Sequence, residues 1–145
     1  MRQALRSGQN DATFPARRVG ETGVVLLIDA ANVIGSRPTG WWRDRPGAAL
    51  TFVERVRTAA AAGTFGEDIV VVLEGAARSG VEEGSVDGVR VVHAPGSGDD
   101  TLVAVAGDTA GQVTLVSADR ALRRRAEALG AQVAGPGWLL DVLDG

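Results

Sequence analysis

Short apolar runs alternate along this chain with longer segments in which apolar residues recur at every third or fourth position. The runs span residues 24–28, 69–73, 89–92 and 113–116. Continuous Val, Leu and Ile runs of this length are typical of strands that are buried on both faces of a parallel sheet. A further short strand is predicted at residues 131–133. Helical spacing follows most of these runs, so the pattern predicts alternating strands and helices.

Turn and capping residues set the predicted limits of the helices. Pro46 suits the first turn of one helix, and Gly63 follows its last apolar position. Other helices are predicted from Asp99, after Ser117, which is the expected cap, and after residues 135–137. Residues 30–45 and the Gly-rich segment up to residue 88 are predicted to be loop or turn.

The order of these elements predicts a single α/β domain. We expect a three-layer α/β/α sandwich with a mostly parallel sheet of four to five strands, covering residues 23–145. Residues 1–22 are polar and Arg-rich and show no periodicity, so we expect them to form a flexible N-terminal arm.

Acidic residues stand where each of the four long strands ends. They are Asp29, Glu74, the pair Asp99 and Asp100, and Asp119. Because the carboxyl ends of parallel strands meet at one edge of a sheet, we expect these side chains to lie close together. Crowded carboxylates repel one another unless a cation lies between them, and oxygen ligands suit Mg²⁺ or Mn²⁺.

The composition removes many other kinds of catalysis. All fifteen basic residues are Arg, Cys is absent and His93 is the single histidine. Lysine-based catalysis, thiolate nucleophiles and multi-histidine zinc sites are therefore excluded. The net charge is −3, and neither a membrane-spanning run nor a signal peptide is visible, so we expect a cytoplasmic protein.

The remaining chemistry is attack of a metal-activated water on a phosphodiester. In this interpretation all five acids are metal ligands, and Asp29, Asp99 and Asp119 are catalytic. Asn32 would orient Asp29 or a phosphate oxygen. Each of these residues could instead cap a helix, as Asp, Asn and Ser often do. Their occurrence at successive strand ends favours a metal site, with one or two ions.

In these residues the chain resembles the PIN-like nuclease superfamily, and within it the NYN (YacP-like) domains. The motifs are Asp29-x-x-Asn32, the acid Glu74, the Asp99–Asp100 pair and residues 117–119, and the resemblance covers residues 23–143. Residues 40–45, GWWRDR, look like a loop of actinobacterial members. The resemblance implies a Mg²⁺- or Mn²⁺-dependent ribonuclease that cleaves single-stranded or structured RNA. Family members often have Asp where Glu74 stands.

Arginines beside tryptophans indicate where RNA could bind, because Arg pairs with phosphates and Trp stacks on bases. Arg37 and Arg43 flank Trp41 and Trp42, and Arg120 begins the helix after Asp119. A tryptophan in the core edge and solvated arginines are the alternative. The predicted substrate-binding residues are Asn32, Ser117, Arg37, Arg43 and Arg120.

Two other functions stay open at this point. The chain could be a catalytically inactive RNA- or protein-binding module of the same fold, or the toxin of a toxin–antitoxin pair. Homodimers are common among PIN-like proteins, so we also expect that this chain could pair with itself. A dinucleotide-binding fingerprint is disfavoured because Thr101 stands where its third glycine belongs.

Overall fold

The sheet contains six strands, connected mainly through helices. A computed structural model describes residues 24–66 and 68–145, so the predicted arm of residues 1–22 lies outside the described residues. The strands are β1 (Val24–Asp29), β2 (Asp68–Leu73), β3 (Gly84–Val86), β4 (Val89–His93), β5 (Gln112–Val116) and β6 (Gln132–Ala134). The helices are α1 (Ala30–Gly35), α2 (Arg45–Ala61), α3 (Gly98–Asp108), α4 (Arg120–Glu127) and α5 (Pro136–Asp144). Two 3₁₀ turns lie at Trp41–Arg43 and Gly75–Gly80.

Strand β1 lies in the interior of a mostly parallel sheet with the order β3-β4-β2-β1-β5-β6. It pairs in parallel with β2 on one side and with β5 on the other, where Ile28 is opposite Val116. Only β3, an edge strand, runs antiparallel to its neighbour within the described sheet. The predicted α/β class and mostly parallel sheet are therefore confirmed.

Alternate residues of each central strand belong to two separate apolar layers. Leu26 and Ile28 of β1 pack in a cluster with residues of α1, α2 and α5. Val25 and Leu27 pack in a second cluster with residues of α3 and α4. Successive side chains of a strand point to opposite faces, so a run of large apolar residues needs helices on both sides. This gives the predicted three-layer sandwich.

Two local predictions were wrong. The sheet has one strand more than the predicted four to five, because all three residues of β3 are exposed and carry no apolar pattern. The segment predicted as a loop at residues 30–45 begins with helix α1. Its six residues make fewer than two turns, which is too short for a helical periodicity to be visible.

Helix α2 starts as its sequence indicates. The Asp44 side chain accepts a hydrogen bond from the Gly47 backbone N–H at 2.9 Å, and Pro46 lies in the first turn. The 3₁₀ turn at Gly75–Gly80 packs closely on this turn, since a Cβ at Gly80 would overlap the Pro46 carbonyl oxygen. In the described residues no helix combines the length and apolar character needed to cross a bilayer.

Candidate active site

The carboxyl ends of β1 and β5 border a crevice at the point where the order of the strands in the sheet reverses. From β1 the chain leaves through α1 and α2 on one face, whereas it enters β5 from α3 on the other. Such a switch point is the usual ligand site of open α/β sheets. Asp29 ends β1, and Ser117 directly follows β5. The position of the crevice follows from the strand order and could not be inferred from strand ends alone.

Asp29 is the buried carboxylate of this crevice and is only 6% exposed. Its Oδ2 accepts a hydrogen bond from Ser117 Oγ at 2.9 Å, and its Oδ1 accepts one from the Asn32 backbone N–H at 3.3 Å. Burial raises the pKa of Asp29, and the negative charges of Asp99 and Glu74 raise it further, although both hydrogen bonds lower it. Burial prevails because a carboxylate loses most of its hydration there.

Glu74 and Asp99 lie near Asp29 because β2 ends beside the start of α3. Glu74 directly follows β2, and a Cβ at Gly98 would overlap Glu74 Oε1, so the glutamate carboxylate lies against the first residue of α3. Asp99 is the next residue, and its backbone N–H donates to Ser97 Oγ at 3.2 Å. The structure thus places three of the sequence-predicted acids, Asp29, Glu74 and Asp99, at one edge of the sheet.

Asp119 belongs to the same edge but serves as the N-cap of α4. Its Oδ1 accepts a hydrogen bond from the Leu122 backbone N–H at 3.0 Å. Ser117, predicted to be this cap, instead accepts the Asp119 backbone N–H at 3.1 Å through its Oγ. The same hydroxyl donates to Asp29, so Ser117 joins the two aspartates. The prediction of Ser117 as the cap was wrong by two residues because Asp119 takes that position.

Asn32 connects α1 to the segment after β5. Its side-chain Oδ1 accepts a hydrogen bond from the Ala118 backbone N–H at 2.8 Å, while its own backbone N–H holds Asp29. The sequence suggested that Asn32 orients Asp29, and the structure shows that the backbone does so. The link to Ala118 was missed, since two residues 86 positions apart have no sequence signal that pairs them.

Other predicted site residues are turned to different partners. Asp100 pairs with Arg125 at 3.1 Å with its side chain 81% exposed, so it faces α4 and water. Arg37 pairs with Asp144 at 2.9 Å. The Arg43 guanidinium lies 5.6 Å from the centre of the Trp42 ring, and Arg120 is the exposed first residue of α4. In the part of the chain that the structure describes, none of these four side chains forms a hydrogen bond or an ion pair with Asp29.

The donor set at this edge suits a hard divalent cation, because it offers carboxylate oxygens and no thiolate. In residues 24–66 and 68–145, no three Asp, Glu, His or Cys side chains converge as a ready-made metal cluster. Mg²⁺ commonly keeps several waters and uses one or two carboxylates together with substrate phosphates. Asp29, with Glu74 and Asp99 beside it, therefore fits an ion of this kind and does not fit an all-protein cage.

Comparison with known proteins supports the fold. The structure is similar to that of Rae1 (YacP) from Bacillus subtilis, with a TM-score of 0.64 and 19% sequence identity over 83% of this chain and 73% of that chain. The W164L mutant of the same protein matches with a TM-score of 0.62 at 19% identity, over 83% of this chain and 74% of that one. No family model and no curated protein matches the sequence significantly. At this identity the similarity shows a shared α/β fold.

Proposed function

We propose that this protein is a metal-dependent ribonuclease whose active site is centred on Asp29. The observation that carries the proposal is a buried carboxylate at the switch point of the sheet, with Glu74 and Asp99 beside it and a pKa raised by burial and by their charges. Perturbed carboxylates in such a crevice are typical of functional sites. The fold shared with Rae1 (YacP) and the resemblance to NYN domains in the same residues support the same conclusion.

The proposed roles follow from the contacts. Asp29, Glu74 and Asp99 would hold Mg²⁺ or Mn²⁺, with Asp119 and Asp100 at the rim of the site. Once bound, the ion would lower the pKa of a water nucleophile and offset charge on the leaving oxygen. Ser117 donates to one oxygen of Asp29 and thereby leaves the carboxylate fixed in orientation. Charged groups held in place in this way need little reorganisation during the reaction.

RNA binding is proposed to use two exposed cations, Arg120 and Arg43. Arg120 begins α4 one residue after Asp119, so its guanidinium can reach the phosphates of a strand lying across the crevice. Arg43 and the half-exposed Trp42 form a cation–π pair that can stack on a base. The actinobacterial character of this loop, a cytoplasmic location and self-association remain part of the proposal.

The test is cleavage of a labelled single-stranded RNA in the presence of Mn²⁺ by wild type and by Asp29→Asn. The variant should fold and lose cleavage by at least about a hundredfold, because a catalytic group of this kind contributes about that much. Asp108→Asn, the matched control, removes the same charge from the far end of α3 and should cleave normally. Equal cleavage by wild type and Asp29→Asn, with preparations purified in parallel, would refute the proposal.

A catalytically inactive RNA-binding module is the second candidate, and one observation favours it. No three ligands converge within the described residues, and Asp119 is already engaged as a cap. This candidate predicts RNA binding that is unchanged by Mn²⁺ and by Asp29→Asn. Calorimetry with Mn²⁺ separates the two functions: binding that is lost in Asp29→Asn supports the nuclease, and the lack of any binding supports the module.

A further inference from the structure

Two cavities have Trp41 in their lining, on the side of the sheet covered by α1, α2 and α5. The smaller one, about 160 Å³, is lined by Glu74 of the candidate active site. The larger one, about 440 Å³, is lined by Arg37 and Arg55. The two cavities have three lining residues in common, Ile34, Trp41 and Ala48. Trp41 therefore lines both the cavity beside Glu74 and the cavity beside the pair of arginines.

The Trp41 ring has fixed neighbours. The Arg45 guanidinium lies 5.1 Å from its centre, and Trp41 and Trp42 form a T-shaped pair with the ring centres 5.8 Å apart and the planes at 88°. An aromatic ring held by a cation and by a second ring loses little freedom when a base stacks on it. Base stacking on aromatic side chains is independent of sequence and is the common way in which proteins hold single strands.

Arg37 and Arg55 converge on one carboxylate. Arg37 donates to Asp144 Oδ2 at 2.9 Å, and Arg55 donates to Asp144 Oδ1 at 2.6 Å. Arginines hold phosphate in the same way, with two guanidinium groups that donate hydrogen bonds to two oxygens of one anion. All three side chains are more than a third exposed, so the ion pairs are weak and exchangeable. The same hydrogen bonds keep the pKa of Asp144 below its usual value.

We propose that Arg37 and Arg55 form a phosphate subsite for a single RNA strand, that a neighbouring nucleotide stacks on Trp41 toward Glu74, and that Asp144 occupies the subsite when RNA is absent. The proposal deepens the proposed function and rests on it for the identity of the ligand as RNA. It gives a role to Arg55, which nothing in the sequence distinguished from the other arginines of α2. It also makes Asp144 a competitor of the substrate.

A purely structural role for Asp144 leads to opposite expectations. If the ion pairs only attach α5 to α2, Asp144→Asn should lower stability and leave RNA affinity unchanged. If Asp144 competes with phosphate, the same substitution should tighten RNA binding, because it frees both arginines. The sign of the change in affinity therefore separates the two roles, and it does not depend on cleavage.

The experiment measures the affinity of the full chain for a fluorescein-labelled single-stranded RNA of about eight nucleotides by anisotropy, a length that one binding groove spans. EDTA is present so that no metal-dependent cleavage occurs. We expect Asp144→Asn to bind about threefold to tenfold more tightly and Arg55→Gln about tenfold more weakly, as the loss of one charged hydrogen bond predicts. Between about 50 and about 200 mM KCl, Arg55→Gln should also lower the salt slope by about 0.7.

Matched controls use the same charge changes elsewhere. Arg57→Gln removes a cation from the same helix, two positions further along and outside the lining of both cavities, and Asp108→Asn removes an anion from the far end of α3. Both should bind RNA within about twofold of wild type, since neither charge lines the cavities and charges away from the ligand are screened. Thermal melts of every variant establish that it is folded.

A background with both Arg37→Gln and Arg55→Gln makes the test independent of general charge effects. In this background Asp144→Asn should not tighten RNA binding, because no arginine remains for the carboxylate to block. Tightening that persists in this background would overturn the proposal, as would unchanged RNA affinity in Asp144→Asn and Arg55→Gln. Tight binding of an acidic peptide together with unchanged RNA affinity would also overturn it and would indicate a protein ligand.

The outcome can be separated from that of the proposed function. RNA affinities that change as expected without any cleavage by wild type would support the subsite and refute the nuclease. Cleavage that depends on Asp29, with RNA affinities indifferent to Arg55 and Asp144, would support the nuclease and overturn the subsite.

Discussion

The hydrogen bond between Ser117 and Asp29 should stabilise the fold mainly because Asp29 is charged. Ser117 is fully buried, and its hydroxyl donates to Asp29 Oδ2 at 2.9 Å. Ser117→Ala removes this donor and leaves a buried carboxylate with one hydrogen bond from the described residues, that of the Asn32 backbone. The hydroxyl also accepts the Asp119 backbone N–H, but that residue is half-buried and water can replace the acceptor.

The magnitude follows from the charge of the acceptor. A hydrogen bond to a charged group contributes about 1.5–3 kcal/mol, and one between neutral groups contributes about 1 kcal/mol. We therefore expect Ser117→Ala to lower the free energy of unfolding by about 2 kcal/mol in the wild-type background. In the Asp29→Asn background the same substitution should cost about 1 kcal/mol, which gives a coupling energy of about 1 kcal/mol.

Urea unfolding at neutral pH, followed by circular dichroism, measures all four corners of this cycle. Ser79→Ala is the matched control, because its hydroxyl donates to a backbone carbonyl at an exposed position, and its cost should be under about 0.5 kcal/mol. Equal costs of Ser117→Ala in the two backgrounds would refute the reasoning. So would a cost in the wild-type background no larger than that of the control.

Three further predictions concern the same edge and its supports. Asp29→Asn should stabilise the protein at neutral pH, because the folded state favours the protonated form of Asp29. The stability that this proton contributes is complete below the ordinary pKa of 3.8 and is lost as the pH rises through the raised pKa of the folded state. Thermal melts between about pH 4 and about pH 8 should therefore show the advantage of the variant growing with pH, and a constant difference would contradict this. Gly98→Ala should displace the flexible end of Glu74 and weaken Mn²⁺ binding in calorimetry, while changing the free energy of unfolding by under about 1 kcal/mol. Gly96→Ala, whose added Cβ has no neighbour within 4 Å, should change neither quantity. Gly80→Ala should cost about 1–3 kcal/mol in urea unfolding, because its Cβ meets backbone of α2 that cannot yield, and a cost equal to that of Gly96→Ala would contradict this.

The buried strands could be predicted from the sequence because each is apolar on both faces. The run Ile69–Leu73, for example, contributes alternate residues to the two core clusters, and such a run has no other stable environment. Strand β3 gives no such signal, since it is exposed and pairs only through its backbone with β4. Helix α1 is stabilised by the Asp29 cap and by the burial of Ala30 and Val33, which are tertiary contacts that a six-residue segment does not reveal.

The candidate site could be predicted only in part, for a physical reason. Strand ends determine which acids reach the edge of the sheet, and Asp29, Glu74 and Asp99 are found there. Side-chain direction is set by partners that are distant in sequence. Asp100 turns to Arg125, and Arg37 turns to Asp144, 107 positions away. Hydrophobic periodicity contains no information about such pairs.

Asp29 shows why the crevice is better explained as a binding site than as a structural feature. The fold already has good helix caps in Asp44 and Asp119, both at positions with more solvent. At the end of β1 a neutral Asn or Ser could cap α1 equally well, without the cost of burying a charge. The chain instead places a carboxylate there, opposed by burial and by two further acids. A bound cation would offset this repulsion, so the choice of an acid at this position supports the proposed metal site.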